Sequence, residues 1–78
     1  MNGGNIRELR KKKRMSLDRL SELSGVSKSY LSYLERGLQK NPSISVLEKI
    51  SLALGVELLY LIEVLNDEPE QEKQPTSI

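Results

Sequence analysis

The sequence predicts an all-α fold built from five short helices. Leucine and isoleucine dominate the apolar residues and recur at three- and four-residue intervals, the spacing of an amphipathic helix. Phenylalanine and tryptophan are absent, and no stretch alternates β-branched or aromatic residues with polar ones as a strand would. With 78 residues and no cysteine, the chain can bury only one small core. Packed helices must therefore supply its stability.

The first helix is expected to begin at Asn5, after a frayed start that contains two glycines. Asn5 can cap the helix N-terminus, and Glu8 three residues later would complete a capping box. Ile6 and Leu9 provide the buried side of this helix. The helix is strongly basic, with Arg7, Arg10, Lys11, Lys12, Lys13 and Arg14. These residues fit two interpretations, a solvated helix face or, for some of them, contacts to a phosphate backbone.

Residues 16–37 have the pattern of two short helices joined by a tight turn, a helix-turn-helix. Leu17, Leu20 and Leu23 form an apolar stripe on the second helix of the chain, and Leu31 and Leu34 repeat that spacing on the third. The two stripes are expected to face each other across the turn.

The residues around the turn favour these helix boundaries. Ser16 and Ser27 can cap the second and third helices through their hydroxyls. Gly25 stands where the second helix must stop and the chain must reverse, a position that favours a residue tolerant of positive φ. Val26 is expected to fill the corner between the helices.

The outward face of the third helix carries short hydroxyls, a phenol and two cations: Lys28, Ser29, Ser32, Tyr33 and Arg36. A lysine can donate to guanine or to phosphate, serine can donate or accept, and a tyrosine ring can pack on a thymine methyl group. Such a set suits the base edges and phosphates of a DNA major groove. For the tyrosines of this helix, ordinary packing on the helix surface is the alternative.

Gly37 ends the third helix, and a loop that contains Pro42 follows. A phosphate-binding site could form at the start of the fourth helix, from Lys40, Asn41 and the amide and hydroxyl of Ser43. The sequence pattern does not decide where the fourth helix begins, because Ser43 can cap it and Ser45 begins a capping-box pattern as well. The core stripe of the fourth helix comprises Ile44, Leu47, Ile50 and Leu54, and Gly55 ends it.

The fifth helix, over residues 57–65, is apolar on more than one face. Its expected buried side consists of Leu58, Leu61 and Ile62. The remaining apolar residues are Leu59, Tyr60, Val64 and Leu65. We expect these four to form a homodimer interface, because an apolar face on a small domain usually covers a partner. The alternative is that they fold over the chain's own core.

The chain divides into a helical domain over residues 1–65 and an acidic tail over residues 66–78. The tail has two prolines, four acidic residues and no apolar period, so we expect it to be disordered. Residues 1–50 carry 11 Lys and Arg against 5 Asp and Glu, whereas residues 51–78 carry 1 against 6. The net charges of +6 and −5 predict that the front half meets a polyanion and the rear half points away from it.

Residues 25–37, followed by Asn41, Pro42 and Ser43, resemble the Cro/lambda-repressor (XRE) family of helix-turn-helix domains, and within it the SinR/SlrR group of repressors. The likeness extends over residues 6–62. It implies a five-helix lambda-repressor-like domain with the third helix in the major groove, and it favours Ser43 as the cap of the fourth helix. Members of the group continue into a longer helical multimerisation and antagonist-binding region, which these 78 residues lack.

The resemblance also implies roles for individual residues. Together with the residue chemistry it assigns base contacts to Lys28, Ser29, Ser32 and Tyr33. It assigns phosphate contacts to Ser16, Arg19, Tyr30, Arg36, Lys40, Asn41 and Ser43. It further implies a structural ion pair between Arg10 and Glu35 that locks the first helix onto the third.

The function expected from these features is that of a sequence-specific DNA-binding transcriptional regulator, most simply a repressor, that acts as a homodimer on double-stranded DNA. The alternative is an antitoxin or antagonist whose main partner is a protein bound through the fifth helix. An enzyme is not expected, because the chain has no histidine, no cysteine, no phosphate-binding glycine loop and no carboxylate cluster with metal-ligand spacing. No cofactor, metal or membrane contact is expected, and the default location is cytoplasmic.

Overall fold

A computed structural model describes residues 2–39 and 41–66 of the chain. Over these residues it shows five helices and no strand, which confirms the predicted all-α class. The helices are α1 (Gly4–Lys12), α2 (Leu17–Ser24), α3 (Lys28–Glu35), α4 (Ile44–Leu54) and α5 (Leu58–Asn66). The predicted disordered tail lies outside the described residues, except that Asn66 is the last residue of α5.

Three serines start three of the helices in the same way. The Oγ atoms of Ser16, Ser27 and Ser43 each accept a hydrogen bond from the backbone N–H three residues later, at 3.0–3.1 Å. Each contact satisfies one of the N–H groups that the first turn of a helix leaves without a partner. The serine caps of α2 and α3 are confirmed, and Ser43 rather than Ser45 starts α4.

The start of α1 differs from the prediction. The helix begins at Gly4, and its N-cap is Gly3, which provides no side-chain hydrogen bond. Asn2 Oδ1 instead accepts from the Gly4 N–H at 3.0 Å. Asn5 lies inside the helix, where its Nδ2 donates to the Val64 carbonyl oxygen at 2.7 Å. The side chain expected to cap α1 is therefore engaged with α5.

The N-terminal residues pack against the rest of the domain. Asn2 N–H donates to the Leu65 carbonyl oxygen at 2.6 Å, and Gly3 is buried. A Cβ atom added to Gly3 would lie only 1.7 Å from the Leu34 carbonyl oxygen. Only glycine fits at this contact, so the start of the chain is joined to the ends of both α3 and α5.

The core lies between all five helices. It comprises Ile6, Leu9, Leu20, Val26, Leu31, Leu34, Leu47, Ile50, Leu54, Leu61 and Leu65. Two residues expected in the core, Leu23 and Ile44, are exposed. On α2 the buried side is formed by Leu20 and Ser24, one turn apart, which leaves Leu23 at its edge. Ile44 is the first residue of α4, ahead of the turns that face the core.

The assignment of Leu65 to a dimer interface is wrong. Its side chain is fully buried in the chain's own core, as is that of Leu61 one helical turn earlier. The hydrogen bond from Asn2 to the Leu65 carbonyl brings the N-terminal residues to the last turn of α5 and extends the core to that turn. Leu59 and Tyr60 are exposed and Val64 is half-buried, so these three residues remain accessible.

Candidate nucleic-acid interface

The third helix has one face in the core and one face in solvent. Leu31, Leu34 and Glu35 are buried, whereas Lys28, Ser29 and Tyr33 are exposed and Ser32 is half-buried. The four residues predicted to contact bases lie together along one shallow groove, which also has Leu17 and Arg36 in its walls. Because Leu17 begins α2, the start of the second helix lies beside the outward face of the third.

An ion pair joins the first turns of α2 and α3. Lys28 Nζ lies 2.8 Å from the Asp18 carboxylate, and the two side chains are 58% and 75% exposed. The lysine ammonium has three N–H donors, so this pair leaves two of them for another acceptor. Nothing in the sequence singles out Asp18, because the contact joins two helices across the turn and follows no helical spacing.

At the other end of the groove, Arg36 lies over Tyr33. The guanidinium carbon is 5.4 Å from the centre of the tyrosine ring, within the range of a cation–π contact. Arg36 Nε also donates to the Ser32 carbonyl oxygen at 3.4 Å. These contacts hold a positive charge against the exposed ring at the C-terminal end of α3. Both side chains stay in contact with solvent.

A second ion pair lies on the buried side of α3. Arg10 and Glu35 form two parallel hydrogen bonds, Nε to Oε2 at 2.8 Å and Nη2 to Oε1 at 3.0 Å, and only 12% and 5% of the two side chains are exposed. Arg10 Nη1 also donates to the Met15 carbonyl oxygen at 2.9 Å. The hydrogen bonding to the Glu35 carboxylate raises the pKa of Arg10, although burial acts in the opposite direction. The pairing predicted between α1 and α3 is therefore present.

The residues predicted to contact phosphates are distributed over α3 and the starts of α2 and α4. Ser16, Arg19, Arg36, Asn41 and Ser43 are exposed, Tyr30 is half-buried against the core, and Lys40 lies outside the described residues. The hydroxyls of Ser16 and Ser43 accept capping hydrogen bonds and keep their own protons to donate. Arg19 forms an exposed ion pair with Glu22 at 2.8 Å.

One cation beside the groove was not singled out for a DNA contact within the basic residues of α1. Arg7 of α1 lines a neighbouring groove whose walls also contain Arg36, Ser32 and Leu17. It therefore adds a positive charge next to the outward face of α3. Its position within a general basic run gave no reason to separate it from its neighbours.

The described residues offer neither a metal centre nor a membrane-spanning helix. No group of three or more acidic side chains in residues 2–39 and 41–66 could hold a metal ion. No helix in this part of the chain is both long enough and apolar enough to span a bilayer. The features that the structure brings together are an exposed polar helix face, neighbouring cations and a rigid support behind them.

Comparison with known proteins identifies close relatives. The family model described as helix-turn-helix matches residues 6–61. The HTH-type transcriptional regulator SinR of Bacillus licheniformis is 50% identical over 72 residues, which are 92% of this chain and 62% of that protein. The chain thus spans about three fifths of the length of this relative.

Solved structures show the same architecture. A crystal structure of SinR, the master regulator for biofilm formation, in complex with DNA matches with a TM-score of 0.75 and 52% identity over 80% of this chain and 98% of that one. A SinR protein/SinI protein complex matches with a TM-score of 0.76 and 51% identity over 81% of this chain and 61% of that one. The five-helix arrangement, including the paired second and third helices, is therefore that of these regulators.

Proposed function

The chain belongs to the helix-turn-helix family, and from that premise we propose that it is a sequence-specific DNA-binding transcriptional regulator that acts as a repressor. The observation that carries this proposal is the face of α3, where four polar side chains line one groove while the opposite face is anchored in the core. A helix held in this way can enter the major groove as a rigid unit. Occupying a promoter site would then exclude other proteins from it.

In this proposal the base sequence is recognised by Lys28, Ser29, Ser32 and Tyr33. Lys28 donates to guanine O6 or N7 through the N–H groups that Asp18 leaves free, and the serine hydroxyls donate or accept at neighbouring bases. Tyr33 packs its exposed ring against a thymine methyl group.

Phosphate contacts supply most of the affinity and fix the orientation of the protein on the duplex. We assign these contacts to Ser16, Arg19, Tyr30, Arg36, Lys40, Asn41 and Ser43. Arg7 joins them as an addition, because it lies beside Arg36 at the edge of the same surface. Binding should therefore weaken steeply as salt concentration rises.

We further propose that two copies bind one operator as a homodimer, with Leu59, Tyr60 and Val64 of α5 at the interface. Leu59 and Tyr60 are neighbours that are 66% and 49% exposed, and adjacent apolar side chains open to water favour a partner surface. A dimer of this kind places two recognition helices about 34 Å apart, one turn of DNA. The protein would work in the cytoplasm without a cofactor and without enzymatic activity of its own.

The second candidate function is binding to a protein antagonist or toxin through the same residues of α5. Two observations favour it: the exposure of Leu59 and Tyr60, and the existence of a complex between the related SinR and SinI proteins. Substitution of Leu59 by serine separates the two uses of α5. If Leu59→Ser loses operator affinity and shifts from dimer to monomer in sedimentation, the dimer is supported. If the unmodified chain captures a stoichiometric protein partner and Leu59→Ser does not, the antagonist is supported.

Selection of bound sequences from a random duplex pool is the experiment that tests the main proposal. We expect a consensus with two half-sites about one helical turn apart. The affinity for that consensus should exceed the affinity for a scrambled duplex and should fall as salt is raised. Recovery of no consensus at low ionic strength would refute the proposal.

A further inference from the structure

The ion pair between Asp18 and Lys28 is a feature of the α3 surface that the proposed function leaves unexplained. It places a carboxylate 2.8 Å from a side chain assigned to base recognition, on the side of the domain that would meet a polyanion. Both partners are largely exposed, and exposed ion pairs contribute little to folding stability. Its consequence is therefore expected at the binding surface.

The carboxylate acts on Lys28 in two ways. It holds the ammonium beside the first turn of α2, which restricts a long flexible side chain that would otherwise reach any nearby phosphate. It also puts a negative charge next to the groove, which repels the backbone of every duplex regardless of sequence.

The cost of the carboxylate depends on whether Lys28 keeps its contact with Asp18, and this differs between operator and random DNA. On the operator, Lys28 can keep its contact with Asp18 and use its free N–H groups for guanine. On a random duplex the matching base is absent, so Lys28 can gain a contact only with a phosphate. To reach that phosphate it must move away from Asp18, whose carboxylate then lies unpaired near the DNA backbone. The cost of the carboxylate is thus larger in the non-specific complex.

We propose that Asp18 is a specificity-determining residue of this DNA-binding surface, which directs Lys28 to a base and weakens binding to random sequence. The inference rests on the proposed function, since it concerns the ratio of two DNA affinities. Asp18 acts through Lys28, and it is a positioning residue that needs no contact of its own with a base.

The chain contains a matched control on the same helix. Glu22 of α2 pairs with Arg19 at 2.8 Å. This ion pair is as short as the one between Asp18 and Lys28, and its side chains are about as exposed. The contact with Arg19 stays within α2, and none of the Glu22 contacts reaches the α3 groove. Neutralising Glu22 therefore changes the net charge as neutralising Asp18 does, but it leaves Lys28 in place.

The test compares the DNA affinities of Asp18→Asn and Glu22→Gln. Each is measured on the selected operator and on a scrambled duplex of the same length, at the same salt concentration. Both substitutions should raise the affinity for scrambled DNA, because each removes one negative charge. The ratio of operator to scrambled affinity should fall about fivefold or more in Asp18→Asn, the low end of the discrimination that one good base contact supplies. In Glu22→Gln the ratio should stay within about twofold, as expected for a change in charge alone.

A double-mutant cycle with Lys28→Ala identifies the route of the effect. If Asp18 acts through Lys28, adding Asp18→Asn to Lys28→Ala should leave the ratio unchanged within about twofold. An equal fall in Asp18→Asn and Glu22→Gln, no fall in either, or a fall that persists without Lys28 would each overturn the inference. Failure of the unmodified protein to bind any duplex would instead refute the proposed function, and the inference with it.

Discussion

Among the described residues, two ion pairs join α3 to other helices, and they have the same length and opposite surroundings. Lys28 and Asp18 meet at 2.8 Å in solvent at the start of the helix, and Glu35 and Arg10 meet at 2.8 Å with almost no exposure at its end. Distance alone therefore says little about what an ion pair does. Burial decides, because water screens the first pair, whereas the second is largely shielded from water and each of its charges depends on the other.

This contrast divides α3 into a part that we propose recognises DNA and a part that supports the fold. The buried pair is bidentate, and Arg10 also holds the Met15 carbonyl at the turn between α1 and α2. It fixes the end of α3 relative to the first helix and to that turn. The exposed pair leaves donors free at the start of α3, where the predicted base contacts begin.

The largest effect should come from breaking the buried pair. Substitution of Glu35 by glutamine leaves the Arg10 guanidinium with its charge buried and unpaired, so we expect the free energy of unfolding to fall by about 3 kcal/mol. Urea denaturation followed by circular dichroism measures this change. Glu48→Gln, on an exposed residue of α4, is the control and should change stability by less than about 0.5 kcal/mol. If Glu35→Gln and Glu48→Gln lowered the free energy of unfolding equally, the buried ion pair would have no special role in stability.

The next effect concerns the N-terminal contact that lies against the same end of α3. Gly3→Ala puts a methyl group into the Leu34 carbonyl oxygen, and we expect a loss of about 2 kcal/mol of unfolding free energy. Gly4→Ala is the matched control, because its nearest neighbour is a side-chain oxygen of Asn2 at 3.2 Å. That substitution should be neutral or stabilising by less than about 1 kcal/mol. A neutral Gly3→Ala would mean that residues 2–5 contribute little to the support of α3.

Much of the supporting part of the molecule was predictable from local chemistry. The serine caps at Ser16 and Ser27 and the left-handed turn at Gly25, which has a φ of 75°, follow from residue types near one point in the chain. The pairing of Arg10 with Glu35 followed from the family resemblance. What the sequence could not show was the packing of Gly3 against Leu34, because a glycine has no side chain and adds nothing to an apolar pattern.

The same reasoning explains the errors and omissions. Leu65 was assigned to a partner surface because nothing in the periodicity of α5 shows that the N-terminal residues cover its last turn. At the proposed recognition surface, helical spacing was enough to place Lys28 and Tyr33 on one side of α3. The contact of Lys28 with Asp18 was not predicted, since it depends on the angle between two helices.

A third prediction tests the recognition side of the comparison. Lys28→Ala should leave the stability within about 0.5 kcal/mol, because the side chain is exposed. It should reduce the discrimination between operator and random duplex by about 1.5 kcal/mol, the loss of one base contact. Lys49→Ala, which removes an equal charge from an exposed site on α4, should weaken both complexes alike. Equal losses on both duplexes for Lys28→Ala would move Lys28 to the group of phosphate contacts.

The smallest effect that we expect is the loss of unfolding free energy when the exposed ion pair is broken. It bears most directly on the comparison between the exposed and the buried pair. Asp18→Asn removes an ion pair as short as the buried one and also a carboxylate in the first turn of α2, where it interacts favourably with the helix dipole. Water solvates both groups once they separate, so we expect less than about 1 kcal/mol to be lost. The same urea titration that measures Glu35→Gln measures this loss. A loss of about 3 kcal/mol would mean that the exposed pair supports the fold as the buried one does. In that case Lys28 could not leave Asp18 for a phosphate without weakening the helix on which it stands.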